Sequence, residues 1–217
     1  MKLYFGPNTD KPVTAALDVQ GYLEERKKHQ YQDGYSMAEA AKSWVLAGGY
    51  LPPSIAAIVG SNELNAAHFE YPTQVWGGGT AMTDIMAFIP SGLIAVEAKV
   101  DEPFDDLVSV WIEREAVRNP RSQPHRQKAI ERYAAALKVE PENLLEIRYQ
   151  LLQRTLCASI VARVRALSEA WMIVQHFPRG GASDKVTNRL DFDAFVALVG
   201  KSPVIEGVRV QLDWAVG

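Results

Sequence analysis

Hydrophobic and polar residues alternate with a period of two over LIAVEAKV, residues 93 to 100. This predicts an extended strand with Ile94, Val96, Ala98 and Val100 on one face and Ala95, Glu97 and Lys99 on the other. The preceding TDIMAFI, from Thr83, is a second apolar strand pattern, and Pro90-Ser91-Gly92 is a turn short enough to fold the two back antiparallel. Asp84 then lies opposite the later part of the second strand. Asp84, Glu97 and Lys99 converge on one patch of sheet, within segments whose other positions read as buried β-structure.

Upstream, residues 13 to 33 read as a helix with a polar end. Ser36-Met37-Ala38-Glu39 has the form of a capping box opening the helix MAEAAKSWVLA, which Gly48-Gly49 ends, and Pro52-Pro53 starts a short third helix. AAHFEYPTQVWGG, residues 66 to 78, reads as the first core strand, with Pro72 marking an irregularity or an exposed edge. Downstream, residues 105 to 118 and 124 to 138 pattern as two helices separated by NPRSQP. Pro141-Glu142-Asn143 opens a long helix in which Leu145, Tyr149, Leu152, Leu156 and Ile160 form a core-facing stripe, while Gln150 and Arg154 sit one turn apart on another side. WMIVQHF, residues 171 to 177, is apolar at nearly every position, as a strand buried on both faces would be. PRGGASDKVTNR reads as a surface loop, FDAFVALVG as a short helix and VRVQLDWAV as a closing strand. No repeat or low-complexity tract divides the series, so it predicts one α/β domain over residues 1–217, with a helical N-terminal part at 1–65 and an α/β core at 66–217.

Composition narrows the class without naming a function. With 47% hydrophobic and 23% charged residues, the chain has the make-up of an ordinary globular domain. No apolar run reaches membrane-spanning length and MKLYFGPNTDK lacks the apolar core of a signal peptide, so no membrane partner and a cytoplasmic location are expected. The single cysteine, Cys157, cannot form an internal disulfide, which agrees with a reducing compartment. Net charge is -3, but residues 113 to 165 carry eleven Lys or Arg against six Glu, a balance of +5 that leaves -8 for the remainder. Such asymmetry fits one face for phosphates, and equally a solvated helix face.

Two carboxylates a few ångströms apart offer hard oxygens to Mg²⁺ or Mn²⁺ rather than to zinc. A neighbouring ammonium can hold an activated water and offset charge developing on an attacked phosphate. On the first core strand, Glu70 is a candidate accessory carboxylate and His68 a candidate base or a structural hydrogen-bonder. An acid-x-lysine pattern by itself carries no information: Glu25-Arg26-Lys27 matches it inside a polar helical segment. Gly77-Gly78-Gly79-Thr80 lacks the Gly-Lys-Ser/Thr ending of a phosphate loop and reads as a turn.

Asp84 followed a dozen residues later by Glu97-Ala98-Lys99 resembles the PD-(D/E)XK signature of the restriction-endonuclease-like nuclease superfamily, with Thr83 where the motif has proline. More narrowly, GGGTAMTDIMAF, VEAKVDEPF and RYQLLQRT are together similar to an uncharacterised bacterial family of unknown function, from about residue 36 onward. The superfamily resemblance implies a mixed central sheet flanked by helices, with an N-terminal helical extension and a helical insertion after the Glu-x-Lys strand. It implies metal-dependent hydrolysis of phosphodiester bonds in nucleic acid, DNA ahead of RNA. Asp84, Glu97 and the backbone carbonyl of Ala98 would bind Mg²⁺ or Mn²⁺, and Lys99 would position the attacking water. By the same resemblance Gln150 is an accessory polar residue, Arg148 and Arg154 contact phosphates, and Glu39 or Glu63 could add a fourth ligand. A homodimer is compatible with all of this. The alternative is a catalytically inactive protein of the same fold that binds nucleic acid or another protein.

Overall fold

The structure is a computed structural model that describes residues 2–217 apart from 24–30, 33, 77–78, 119–122 and 179–184. The predicted turn glycines Gly77 and Gly78, the Glu25-Arg26-Lys27 segment and most of NPRSQP lie outside the described residues.

The strands are β1 (Leu3–Phe5), β2 (Ala66–Gln74), β3 (Thr80–Ile89), β4 (Gly92–Lys99), β5 (Glu169–His176), β6 (Val204–Ile205) and β7 (Val208–Val216). They form one mixed sheet in the order β1-β2-β3-β4-β5-β7-β6. β2, β3 and β4 are antiparallel neighbours, whereas β4, β5 and β7 run parallel. Helices α1 (Ala16–Tyr22), α2 (Ser36–Leu46) and α3 (Pro53–Val59) precede β2. Between β4 and β5 come α4 (Val108–Arg118), α5 (Gln123–Leu137) and α6 (Tyr149–Val164), and α7 (Lys185–Val199) follows β5. Among the described residues no helix is long and apolar enough to cross a membrane.

Alternation along β3 and β4 sorts the core into two layers. Met86, Phe88, Leu93 and Ala95 pack with Leu152, Leu156 and Ala158 of α6, while Ile85, Ala87, Ile94, Val96 and Ala98 pack with Trp44 and Ile55 of α2 and α3. The predicted turn is a tight one, since Ile89 pairs directly with Gly92. Gly92 is required there by close approach: a Cβ would fall 2.5 Å from the Glu169 carbonyl oxygen. β5 is buried on both faces at the sheet centre, as its unbroken apolar run predicts.

Several local readings need correction. The first helix is short, Ala16–Tyr22, because Leu23 turns extended. β1, inside the part read as helical, adds a parallel edge strand through the register Leu3↔Ala67 to Phe5↔Phe69. The N-cap of α2 is Tyr35, not Ser36, and has no side-chain cap bond; Glu39 instead accepts from the Gly34 N–H at 2.9 Å. The long helix from Pro141 is broken: Pro141–Leu144 form a 3-10 turn, and α6 begins only at Tyr149. α6 is buried nearly all round rather than along one stripe, because it lies across the sheet and is covered by the α4–α5 excursion. Lys185–Arg189, read as loop, are already helical in α7.

Pro72 does sit at an exposed edge, since β1 covers β2 only at Ala67–Phe69, but the strand's irregularity is elsewhere. It is at Glu70, whose φ is 51°.

Candidate functional site

Strand register brings three acids to one level of the sheet. The β2–β3 ladder pairs Phe69 with Ile85 and Tyr71 with Thr83, and skips Glu70 and Asp84 between them. The β3–β4 ladder ends at Ile85↔Val96, so Asp84 and Glu97 are the next residues along. Where that ladder stops, the Ala98 N–H donates to Asp84 Oδ2 at 2.8 Å instead of to a strand carbonyl. The pleat also slips here. Met86 and Phe88 face α6, and uninterrupted alternation would turn Ala81 away from it, yet Ala81 packs in the α6 layer. A left-handed backbone at Glu70, costly for a residue with a Cβ, accompanies the slip.

Glu97 and Lys99 share a face, as alternation predicts, and their side chains are only 2% and 6% exposed. Both oxygens of Glu97 are held. Lys99 Nζ lies 3.0 Å from Oε1, Gln150 Nε2 donates to the same oxygen at 2.5 Å, and Arg154 Nε donates to Oε2 at 2.7 Å. Gln150 and Arg154 reach the same carboxylate because they are one helical turn apart on α6. The Gln150 side-chain Oε1 accepts from the Asp105 N–H at 3.2 Å, tying the loop after β4 to α6. Asn188 of α7 holds the same loop through Phe104 N–H and the Glu102 carbonyl.

The electrostatics follow from that packing. Burial, then the charge of Glu97, pushes the Asp84 carboxyl up to about 8, although Arg154, Lys99 and the Ala98 N–H pull the other way. Asp84 keeps a strip of exposure to the cleft but is otherwise enclosed by protein. Burial would also raise Glu97, but Lys99 and Arg154 outweigh it and hold that carboxyl below its usual range. Burial would lower Lys99; Glu97 and Asp84 outweigh it and keep the ammonium charged. Two acids and two cations thus face one another in a nearly closed volume.

A cleft of about 590 Å³ opens onto this group, lined by Glu70, Asp84, Glu97, Lys99, Asp101, Glu102 and Gln150 and by Gly34–Met37 at the start of α2. Among the described residues no three Asp, Glu, His or Cys side chains gather as a protein-only metal cage would require. The donor set that remains is two carboxylates and a carbonyl, for a residue's C=O points to the same strand edge as its N–H, and Ala98 turns that edge toward Asp84. Such a set could hold one hard cation that keeps several waters only with Asp84 ionised and a Glu97 oxygen shared with its present partners.

Of the other sequence candidates, Arg154 touches the group and Glu70 lines the cleft, while the rest lie elsewhere. Arg148 caps α6 and binds Asp191 of α7 at 2.9 Å, away from Glu97. Arg154 is 7% exposed and lies behind Glu97, so the phosphate contact expected of it is replaced by a carboxylate contact. His68 is buried among Tyr4, Tyr71 and Phe88, with Nδ1 2.9 Å from the Gly6 carbonyl oxygen. Glu39 pairs with Lys42, and Glu63 is exposed between α3 and β2. The role of Arg154 as a brace escaped sequence reasoning because its helix looked amphipathic. The available signal was the four-residue spacing to Gln150, itself aimed at Glu97.

A family model described as Domain of unknown function (DUF6946) matches residues 12–217, and the chain belongs to that family. No curated protein and no solved structure matches the chain.

Proposed function

We propose that this family member is a metal-dependent phosphodiesterase acting on nucleic acid, with its site at Asp84, Glu97 and Lys99. The observation that carries the proposal is the meeting, where the middle of β3 lies against the end of β4, of a buried carboxylate, a half-buried one and a buried ammonium beside a cleft large enough for a phosphodiester. Asp84, Glu97 and the Ala98 carbonyl would hold one Mg²⁺ or Mn²⁺. What such an ion supplies is activation of a water near neutral pH and positive charge beside the attacked phosphate. Lys99 orients that water and stabilises charge on the phosphate oxygens. Gln150 and Arg154 fix the Glu97 carboxylate, so the donor set is preorganised on three rigid elements. The superfamily resemblance of Asp84 and Glu97-Ala98-Lys99 supports the same reading.

The test is incubation of the wild type, Asp84→Asn and Lys99→Ala with single- and double-stranded DNA and RNA, with Mg²⁺, Mn²⁺ or chelator. Cleavage by the wild type alone, and only with the cation, is the expected result. No cleavage of any substrate would leave the inactive binding protein as the better reading.

A further inference from the structure

Beside the cleft, two tryptophans carry arginine planes. Trp111 of α4 is stacked on Tyr149, with centroids 4.0 Å apart and planes at 14°, and Arg126 Cζ of α5 lies 4.1 Å from the Trp111 centroid. Two groups so close to one ring must take opposite faces, so the order is Tyr149, Trp111, Arg126. Trp76, at the end of the β2–β3 hairpin, repeats the arrangement: it stacks with Tyr133 at 5.5 Å and lies 4.1 Å from Arg132 Cζ. The tyrosines under both stacks are buried, and Tyr133 donates its hydroxyl to the Trp76 carbonyl oxygen at 2.6 Å. Above these buried tyrosines and the indoles the guanidinium planes form the next layer, Arg132 exposed and Arg126 half-buried, with Arg126 Nη1 donating to the Trp111 carbonyl oxygen at 3.2 Å.

The first of the two stacks is joined to the site. Arg154, which binds Glu97 Oε2, donates to Gln153 Oε1 at 2.9 Å, and Gln153 donates in turn to the Tyr149 hydroxyl at 3.2 Å. Residues 108 to 138 carry seven Lys or Arg against three Glu. A clamp holding α5 to its neighbours could be made from leucine without ordering two long charged side chains. Guanidinium planes backed by indole suit a flat, electron-rich ring with a phosphate nearby. Unpaired bases offer such faces, whereas bases within a duplex are already stacked on one another.

We infer that the Arg126–Trp111 and Arg132–Trp76 stacks form a platform for single-stranded nucleic acid, delivering an unpaired strand to the Asp84 cleft. The inference rests on the reading of that cleft as a site for nucleic acid and narrows its substrate to unpaired strands.

The experiment measures fluorescence anisotropy of labelled 20-nucleotide oligo-dT, oligo-U and a 20-base-pair duplex with the full chain in chelator, where no cleavage intervenes. Single strands should bind at least tenfold tighter than the duplex. Arg126→Ala and Arg132→Ala should each weaken single-strand binding about 5- to 150-fold, the span of roughly 1–3 kcal/mol per stacked base. Arg126→Lys and Arg132→Lys keep the charge and lose the plane; they should recover less than half of the lost binding free energy, with melting temperatures near wild type. Duplex bound as tightly as single strand, or arginine variants that bind as the wild type does, would overturn the inference. Because binding is read without metal, a chain that binds through Arg126 and Arg132 but never cleaves upholds the platform and removes the nuclease reading. Cleavage by arginine variants with unaltered affinity does the reverse.

Discussion

Replacing Lys99 with methionine separates what the buried charges contribute to stability from what they contribute to chemistry. Were it solvent-exposed, the Glu97–Lys99 pair would be worth about 1 kcal/mol or less. The structure makes it buried, at 6% and 2% side-chain exposure. Removing one member of a buried pair costs about 3–5 kcal/mol when the other is left uncompensated. Here Glu97 keeps Arg154 at 2.7 Å and Gln150 at 2.5 Å. The expected loss is therefore at or below the low end of that range, roughly 2–3 kcal/mol. For a chain of this size that is a fall in Tm of about 4–12 °C. Thermal denaturation at pH 7 without divalent cation, on wild type, Lys99→Met and Arg154→Met, measures it, and Arg154→Met should fall by a similar amount. Cleavage, assayed well below the variant's Tm, should drop by about 10²–10³ if Lys99 steadies transition-state charge. A Tm within 1 °C of wild type would refute the burial argument, and unchanged cleavage would end the assignment of Lys99 to the reaction.

Asp84→Asn should gain stability relative to wild type as pH rises. The native Asp84 keeps its proton up to about pH 8 while the unfolded chain loses it near 3.8, so the native state binds more protons in that window and wild-type stability falls across it; Asn does not titrate. Melting curves from pH 5 to 9 in chelator check this, and a constant difference between the two proteins would contradict it. Glu97 acts oppositely: its depressed carboxyl contributes stability that is present above the usual carboxylate range and lost only as pH falls through its lowered pKa. Mn²⁺ at a hundred times its dissociation constant should stabilise the wild type by about 2.7 kcal/mol, and Asp84→Ala should abolish the shift in Tm. Gly92→Ala should destabilise by about 1–3 kcal/mol or more, since the new methyl meets the Glu169 carbonyl at 2.5 Å; an unchanged Tm would mean that β4 and β5 are not packed so closely.

Much of the site was legible because strand alternation is a strong constraint. LIAVEAKV has to put Glu97 and Lys99 together, and a two-residue turn has to bring Asp84 back beside them. What could not be read depended on contacts between distant segments. The helical stripe through Leu145 and Tyr149 looked continuous, but the chain breaks at Leu145 to Arg148, where Leu107 bridges to Arg148 and the Tyr149 N–H binds the Asp106 carbonyl oxygen. That break aims Gln150 and Arg154 at the sheet. Likewise, Pro72 drew attention to β2, but the slip lies at Glu70, whose backbone is set by neighbours on both sides and not by its own propensity. The three-residue β1 carries too short a pattern to be distinguished from an irregular N-terminus, and only its pairing with β2 defines it.

Charge balance finally ties the cleft to the platform beside it. With Asp84 protonated below about pH 8, Glu97 leaves one charge of Lys99 and Arg154 unmatched, a single buried positive charge that the acids around the cleft outnumber. Among the described residues lining the cleft, Lys99 is the one basic side chain, and Glu70, Asp101 and Glu102 add negative charge. A phosphodiester approaching without a cation meets net repulsion, while one divalent ion bound between Asp84 and Glu97 would offset most of it and place positive charge beside the phosphate. On the proposed function, affinity for the strand then has to arise outside the cleft, where residues 108 to 138 hold seven basic residues and the two arginine stacks. Binding and cleavage should accordingly separate. Oligonucleotide affinity in chelator should survive Asp84→Asn and fail with Arg126→Ala and Arg132→Ala combined, whereas the cation dependence of cleavage should follow Asp84 alone. Binding that required the divalent cation in the wild type would place the affinity in the cleft and break the division of labour between the two surfaces.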